Sequence, residues 1–284
     1  SLIKQRHNIN SISQEKLNIC YKLQNKIENY IYNFNTNISI SILNRYGEFI
    51  VDINGNIPRI PASNQKILSS AFSLDVLGPN YTLKTTLKEL KDGGYYIEAS
   101  GDPDFDHSHL EFLIRDLANT NNNTIPLPIL IKTIGKEKWW PSGWSYADRN
   151  EEYGAPITKY SIASNASINA LKNPIKNFIF ELGVALDKQN LSDKYFIKSI
   201  KNNYPINYIS TNKVIYSAPL YILLSLVNSE SHNFTAEVIF RHALKNWSHN
   251  FPNVKYTNWL ENQNFNSEYF SFADASGLSR TNRV

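Results

Sequence analysis

The feature that most constrains the fold is a hydrophobic period that changes along the chain. Leu17, Cys20, Leu23, Ile27 and Ile31 recur every three or four positions, which predicts a helix from Ser11 or Ser13 to about Asn35, with Cys20 as a buried small hydrophobe. Ile38, Ile40 and Ile42 then alternate with polar residues, Asn44 to Gly47 is turn-like, and Phe49, Val51 and Ile53 alternate again. That pattern predicts a hairpin with one buried face. Pro58 to Pro61 leads into a helix that Ile67, Leu68, Ala71, Leu74, Val76 and Leu77 make apolar enough to be buried. After Gly78-Pro79 the elements shorten. A second hairpin is expected over Tyr81–Leu90 and Tyr95–Ala99, a helix over Ser108–Leu117 and a buried strand over Ile129–Thr133. Strands and one helix follow to about Asn212. The helical period returns from Val214, in a helix opened by Ser217-Ala218-Pro219-Leu220 and another over Phe234–Leu244. Mixed periods of this kind predict an α+β protein.

The 284 residues suffice for one large domain or two unequal ones. A formal charge of +4 arises from 29 basic and 25 acidic residues spread without a basic block, which argues against nucleic acid and leaves an anionic polymer or surface compatible. One cysteine permits no internal disulfide. No apolar run is long enough to span a bilayer, and Ser1 to Arg6 carry no signal-peptide core. The chain has no methionine and starts at serine, so an export signal is expected upstream.

Chemistry concentrates at Pro61-Ala62-Ser63-Asn64-Gln65-Lys66. If a helix begins near Ser63, the hydroxyl of Ser63 and the amine of Lys66 share one face. A serine is a weak nucleophile without a base, and a desolvated lysine can supply that base. A helix N-terminus also offers free N–H groups to developing negative charge. Ser231-His232-Asn233 adds a hydroxyl able to pass a proton and an amide able to grip a peptide bond, although Ser and Asn equally suit a plain helix cap. Asp104, Asp106, His107 and His109 have a spacing that could suit a metal, but no further ligand is identifiable, and a charged helix start is the preferred reading. No metal or cofactor is expected. Trp139, Trp140 and Trp144 form an aromatic cluster, read as packing rather than sugar stacking.

Taken in order, these segments resemble the class C low-molecular-mass penicillin-binding proteins, the S13 serine peptidases with D-alanyl-D-alanine carboxypeptidase and endopeptidase activity. The resemblance rests on Pro61–Lys66 with Leu77-Gly78-Pro79, Ser100-Gly101-Asp102-Pro103, and Gly143-Trp144 with Asp148 and Tyr153-Gly154-Ala155-Pro156. It continues through Tyr216–Leu220, Ser231-His232-Asn233 with Ala236-Glu237, and Asp274–Arg280. It implies a β-lactamase/transpeptidase-like catalytic domain, an antiparallel sheet flanked by helices, formed by residues 1–80 and 213–284. Residues 81–212 would be an inserted, mostly β region. It also implies that Ser63 attacks the carbonyl between two D-alanines of peptidoglycan, with Lys66 as base, Ser231 as proton relay and Asn233 on the substrate amide. Asp148 would meet the amino group of the stem peptide's diamino acid. Peptidoglycan stem peptides would be the substrate and β-lactams the inhibitors, in the periplasm or cell envelope, with peripheral membrane association left open.

The family's third motif, a Lys-Thr-Gly strand expected after Arg280, does not occur before Val284. The expectation is a truncated sequence, with these 284 residues alone inactive or unstable and the complete protein active. The alternatives are a non-catalytic peptidoglycan-binding homologue and, less favoured, a serine β-lactamase.

Overall fold

The computed structural model describes residues 18–34, 37–119, 125–201, 203–247, 253–266 and 269–284. The chain divides into two compact units, Ser1–Arg59 and Ile60–Val284.

In the first unit, helix α1 (Tyr21–Ile31) is followed by strands β1 (Ile40–Leu43) and β2 (Phe49–Ile53), paired antiparallel. The Asn44 side chain closes their turn by accepting from the N–H groups of Tyr46 and Glu48, the Asx geometry that favours Asn there. Helix α1 is shorter than its apolar period suggests; the expected start near Ser11 or Ser13 falls outside the described residues. Cys20 is exposed rather than buried, because it stands at the helix boundary ahead of the half-buried stripe of Leu23, Ile27 and Ile31.

In the second unit, helix α2 (Gln65–Leu77) follows a single 3₁₀ turn, Ala62–Asn64. Strands β3 (Thr82–Leu90) and β4 (Tyr95–Glu98) form the expected hairpin around Gly93 and Gly94. Helix α3 (His107–Ile114), strand β5 (Leu127–Thr133), helix α4 (Pro174–Lys188) and strands β6 (Tyr195–Lys201) and β7 (Tyr208–Pro219) complete a five-stranded sheet in the order β6-β5-β4-β3-β7. β5 runs parallel to both β4 and β6, whereas β3 is antiparallel to β4 and β7. One sheet face, with Tyr95, Ile97, Ile129 and Ile131, buries Leu110, Leu113 and Ile114 of α3 and Phe178, Leu182 and Ala185 of α4. Because Thr82 of β3 lies opposite Pro219 of β7, the chain enters and leaves this sheet at one place.

Residues Val214 to Pro219, where a helical period is expected to resume, belong to β7; the helix proper, α5 (Leu220–Ser229), starts after Pro219. Proline cannot extend a ladder as a donor but suits a helix entry, so the element changes there. Helices α6 (Asn233–Leu244) and α7 (Val254–Asn262) follow. Phe72 of α2, Phe240 of α6 and Tyr256 and Leu260 of α7 share one core with Ala275.

The burial of α2 departs in part from the sequence expectation: Leu68, Val76 and Leu77 pack against the core, whereas Ile67, Ala71 and Leu74 do not. Its hidden side is Gln65, Lys66, Ser69, Ser70, Phe72 and Ser73, while Ile67 and Leu74 are 64% and 40% exposed. The serines allow a backbone segment to approach the helix closely. Ser69 Oγ donates to the carbonyl of Ala275 at 2.7 Å, and Ser73 Oγ turns back to its own helix at the carbonyl of Ser69.

Candidate active site

Ser63 and Lys66 are set by the junction of the 3₁₀ turn and α2. Ala62 has φ +48, a left-handed conformation that is uncommon for a residue with a Cβ, and the kink leaves Ser63 exposed while Lys66 is only 2% exposed. Lys66 Nζ lies 3.3 Å from Ser63 Oγ. It also donates to Asn233 Oδ1 at 2.6 Å and to the carbonyl of Ser276 at 2.7 Å. Burial lowers the Lys66 ammonium to a pKa of about 8, against opposing attraction from Glu237 and Asp274. In the neutral amine, the two acceptors at Asn233 and Ser276 hold both N–H groups. The lone pair is then free to face Ser63.

Ser231 Oγ donates to Ser63 Oγ at 2.7 Å. Its backbone is also left-handed, at φ +57, in the turn that joins α5 to α6. Asn233 opens α6, and its Nδ2 donates to the carbonyl of Tyr153 at 2.9 Å. Ser63, Lys66, Ser231 and Asn233 thus form one connected cluster.

Asp148 stands apart from that cluster. It is buried, accepts from Ser145 Oγ at 2.6 Å and from the Tyr153 hydroxyl at 3.3 Å, and reaches Asn233 only through Tyr153. The Tyr153 hydroxyl is held above its ordinary pKa, by desolvation first and then by the charge of Asp148.

The sequence alone points to no role for Glu237 or for the backbone of residues 274–277. Glu237 Oε1 accepts from the N–H groups of Ala275 and Ser276 at 2.8 and 2.9 Å, which sets the Ser276 carbonyl on Lys66. Fully buried, Glu237 is pushed up to about 7, by desolvation first and then by Asp274; Arg241 and the two N–H donors act the other way. Asp274 accepts from Gly277 N, Ser279 N, Asn282 Nδ2 and Trp144 Nε1 at 2.7–2.9 Å. A Cβ on Gly277, at φ +83, would lie 1.8 Å from the carbonyl oxygen of Ala62, and one on Gly143 would lie 2.1 Å from Ser279 Oγ. These glycines let the three loops close around the residue before Ser63. The pairing of Glu237 with the Asp274–Arg280 segment was the available signal, as two polar landmarks far apart in sequence.

Asp106 caps α3 by accepting from the N–H of His109, and His107 lies between Glu111 and Glu181. Among the described residues no group of three or more His, Cys, Asp or Glu side chains could hold a metal ion. Trp139 and Trp144 are packed in the interior, and Trp140 is half-buried.

The model of the D-Ala-D-Ala carboxypeptidase 3 (S13) family matches residues 27–204 and 209–284. No curated protein sequence matches. Among solved structures, penicillin-binding protein 4 from Haemophilus influenzae superimposes with a TM-score of 0.65 at 18% identity, over 84% of this chain and 70% of that one. The same protein complexed with a β-lactam gives a TM-score of 0.60 at 18% identity, over 84% and 69%. At that identity the likeness speaks for the fold, an α+β arrangement of a sheet flanked by helices. The family match covers most of the chain, including every residue of the Ser63 cluster: this protein belongs to the S13 family of serine-type D-Ala-D-Ala carboxypeptidases.

Proposed function

We propose that Ser63 is the acylated nucleophile of a peptidoglycan carboxypeptidase or endopeptidase and that Lys66 is its base. The observation that carries this reading is the convergence of Lys66, Ser231 and Asn233 on Ser63. Neutral Lys66 takes the Ser63 proton as Oγ bonds to the carbonyl carbon between two D-alanines. The resulting oxyanion is met by the Ser63 N–H in the 3₁₀ turn that leads into α2, a donor of the kind typically worth about 10²–10³-fold. Ser231 is placed to pass a proton to the leaving amine as the C–N bond breaks. Asn233, with Oδ1 on Lys66 and Nδ2 on Tyr153, holds the amide that aligns the substrate. Water then cleaves the ester, returning the proton to Ser63, and a β-lactam forms the same ester.

Asp148 would bind the amino group of the diamino acid in the stem, its charge displayed one side chain away from Asn233 through Tyr153. Residues 81–212 would be an insertion into the transpeptidase-like part, a reading supported by the adjacent entry and exit strands β3 and β7. The work would take place in the periplasm or cell envelope; among the described residues no helix is long and apolar enough to cross a membrane. The test is labelling of the full-length protein with a fluorescent penicillin, followed by comparison with a Ser63→Ala variant. Label of equal intensity in the variant would refute the assignment.

A further inference from the structure

A cavity of about 670 Å³ is lined in part by the turn that carries Asp148. Asp148 points to Ser145 and Tyr153, whereas the next two residues, Arg149 and Asn150, line this cavity. Lys136, Lys138, Lys172 and Arg241 line it as well, and the one acidic residue on its wall is Glu137. The Glu137 carboxylate is folded over Gly135, where a Cβ would meet it at 2.2 Å. Among the described residues none of these five cations forms an ion pair. An excess of positive charge gathered in a concave wall focuses its field on whatever enters.

The guanidinium of Arg149 is the most specific feature. It lies 5.3 Å from the ring centre of Trp140 and 4.7 Å from that of Tyr146, and its Nε is buried with no hydrogen-bond partner. Stacking fixes its plane while leaving its forked N–H groups unused, the arrangement that suits a carboxylate or phosphate bound by two parallel bonds. Arg241 adds a second, buried cation, partly offset by the attraction of Glu237. It is 3% exposed, gives Nη1 to the carbonyls of Lys138, Ile157 and Trp247, and also has an unpartnered Nε.

We propose that this cavity is a second substrate-binding site, which takes the carboxylates of the peptidoglycan strand whose D-alanine terminus is cut at Ser63. The inference rests on the peptidoglycan reading above. The occupant is argued from continuity: one turn carries both Asp148, which is linked through Tyr153 to Asn233, and Arg149, which lines the cavity, so a single polymer can extend from the Ser63 cluster to the cavity. Stem peptides carry free carboxylates at positions other than the cut bond, and a strand presents them repeatedly, which suits several cations better than a small ligand would.

The test titrates the full-length protein with soluble peptidoglycan strands already stripped of their D-alanines, which retain their carboxylates and offer nothing to cleave. Binding is expected to weaken by about tenfold or more after the carboxylates are amidated, in about 0.5 M salt, and in a Lys136→Glu, Lys172→Glu variant. Both lysines are exposed, and circular dichroism checks that the variant is folded. Arg149→Gln removes the fork and should produce a similar loss. Equal binding of amidated strands, undiminished binding by the folded variants, or displacement of the strands by inorganic polyphosphate at lower concentration than by free strands would overturn the proposal. Penicillin labelling of the wild-type protein reads Ser63 separately. Strand binding with these dependences stands whether or not that label appears.

Discussion

Ser231 Oγ donates a hydrogen bond of 2.7 Å to Ser63 Oγ across 168 positions of sequence. Both hydroxyls are presented from kinked backbone: Ser231 itself is left-handed, and so is Ala62 immediately before Ser63. Such conformations cost about 1–3 kcal/mol each and persist where the surrounding structure over-determines them. Here the surroundings are the start of α6 on one side and Gly277 on the other.

Replacing Ser231 separates the role of its hydroxyl from its backbone. Ser231→Ala and Ser231→Gly should both slow acylation by penicillin, by about 10²-fold if the hydroxyl takes part in proton transfer. The glycine variant should be the more stable of the two by about 1 kcal/mol, since φ +57 costs glycine nothing. Stopped-flow labelling and denaturant melts read the two effects; equal stability of the variants would contradict the strain.

For Lys66, chemistry rather than charge is the prediction. Lys66→Met should reduce acylation by about 10²–10⁴-fold, and Lys66→Arg should not restore it, because a guanidinium does not give up its proton. Recovery in the arginine variant would make Lys66 a cation rather than a base.

The pH dependence follows from the Lys66 pKa of about 8. Acylation should rise through that value as the amine becomes neutral. The Glu237 charge opposes this deprotonation, so Glu237→Gln should move the rising limb to lower pH while keeping an acceptor for Ala275 and Ser276. For stability the sign is set by the unfolded chain, which binds this proton more tightly, up to the ordinary value of 10.5. Wild-type protein should therefore gain stability relative to Lys66→Met as pH rises from about 8 to 10.5. A rate profile that shifts upward in Glu237→Gln would contradict the account.

Gly277→Ala should perturb the nucleophile without touching it. The added methyl falls 1.8 Å from the Ala62 carbonyl and sits on left-handed backbone, so a stability loss of about 1–3 kcal/mol and slower labelling of Ser63 are expected together. Gly47, also left-handed but with open space around it, is the control: Gly47→Ala should leave labelling unchanged.

The two hairpins and the α6 helix were legible because strand alternation, turn residues and the helical apolar period report them directly. What faced inward on α2 was not. Its apolar residues Ile67 and Leu74 point outward, while Ser69 meets Ala275 from 206 positions away and Lys66 meets Ser276 from 210, which no local period records. The parallel pairing of β5 between β4 and β6 is equally non-local. Helix α7 escaped notice because only Tyr256 and Leu260 are buried, behind an Asn253 cap that reads as loop. Within the site, Ser63, Lys66, Ser231 and Asn233 were singled out as types suited to the chemistry. Glu237 and the Ser276 carbonyl, which act through backbone geometry, required the fold.

The central claim is that Ser63 is the acylated residue. Full-length protein is labelled with a fluorescent penicillin, digested, and mapped by mass spectrometry beside the Ser63→Ala variant. The account predicts one adduct, on the peptide containing Ser63, absent from the variant. An adduct on another residue, or undiminished labelling of Ser63→Ala, would contradict it.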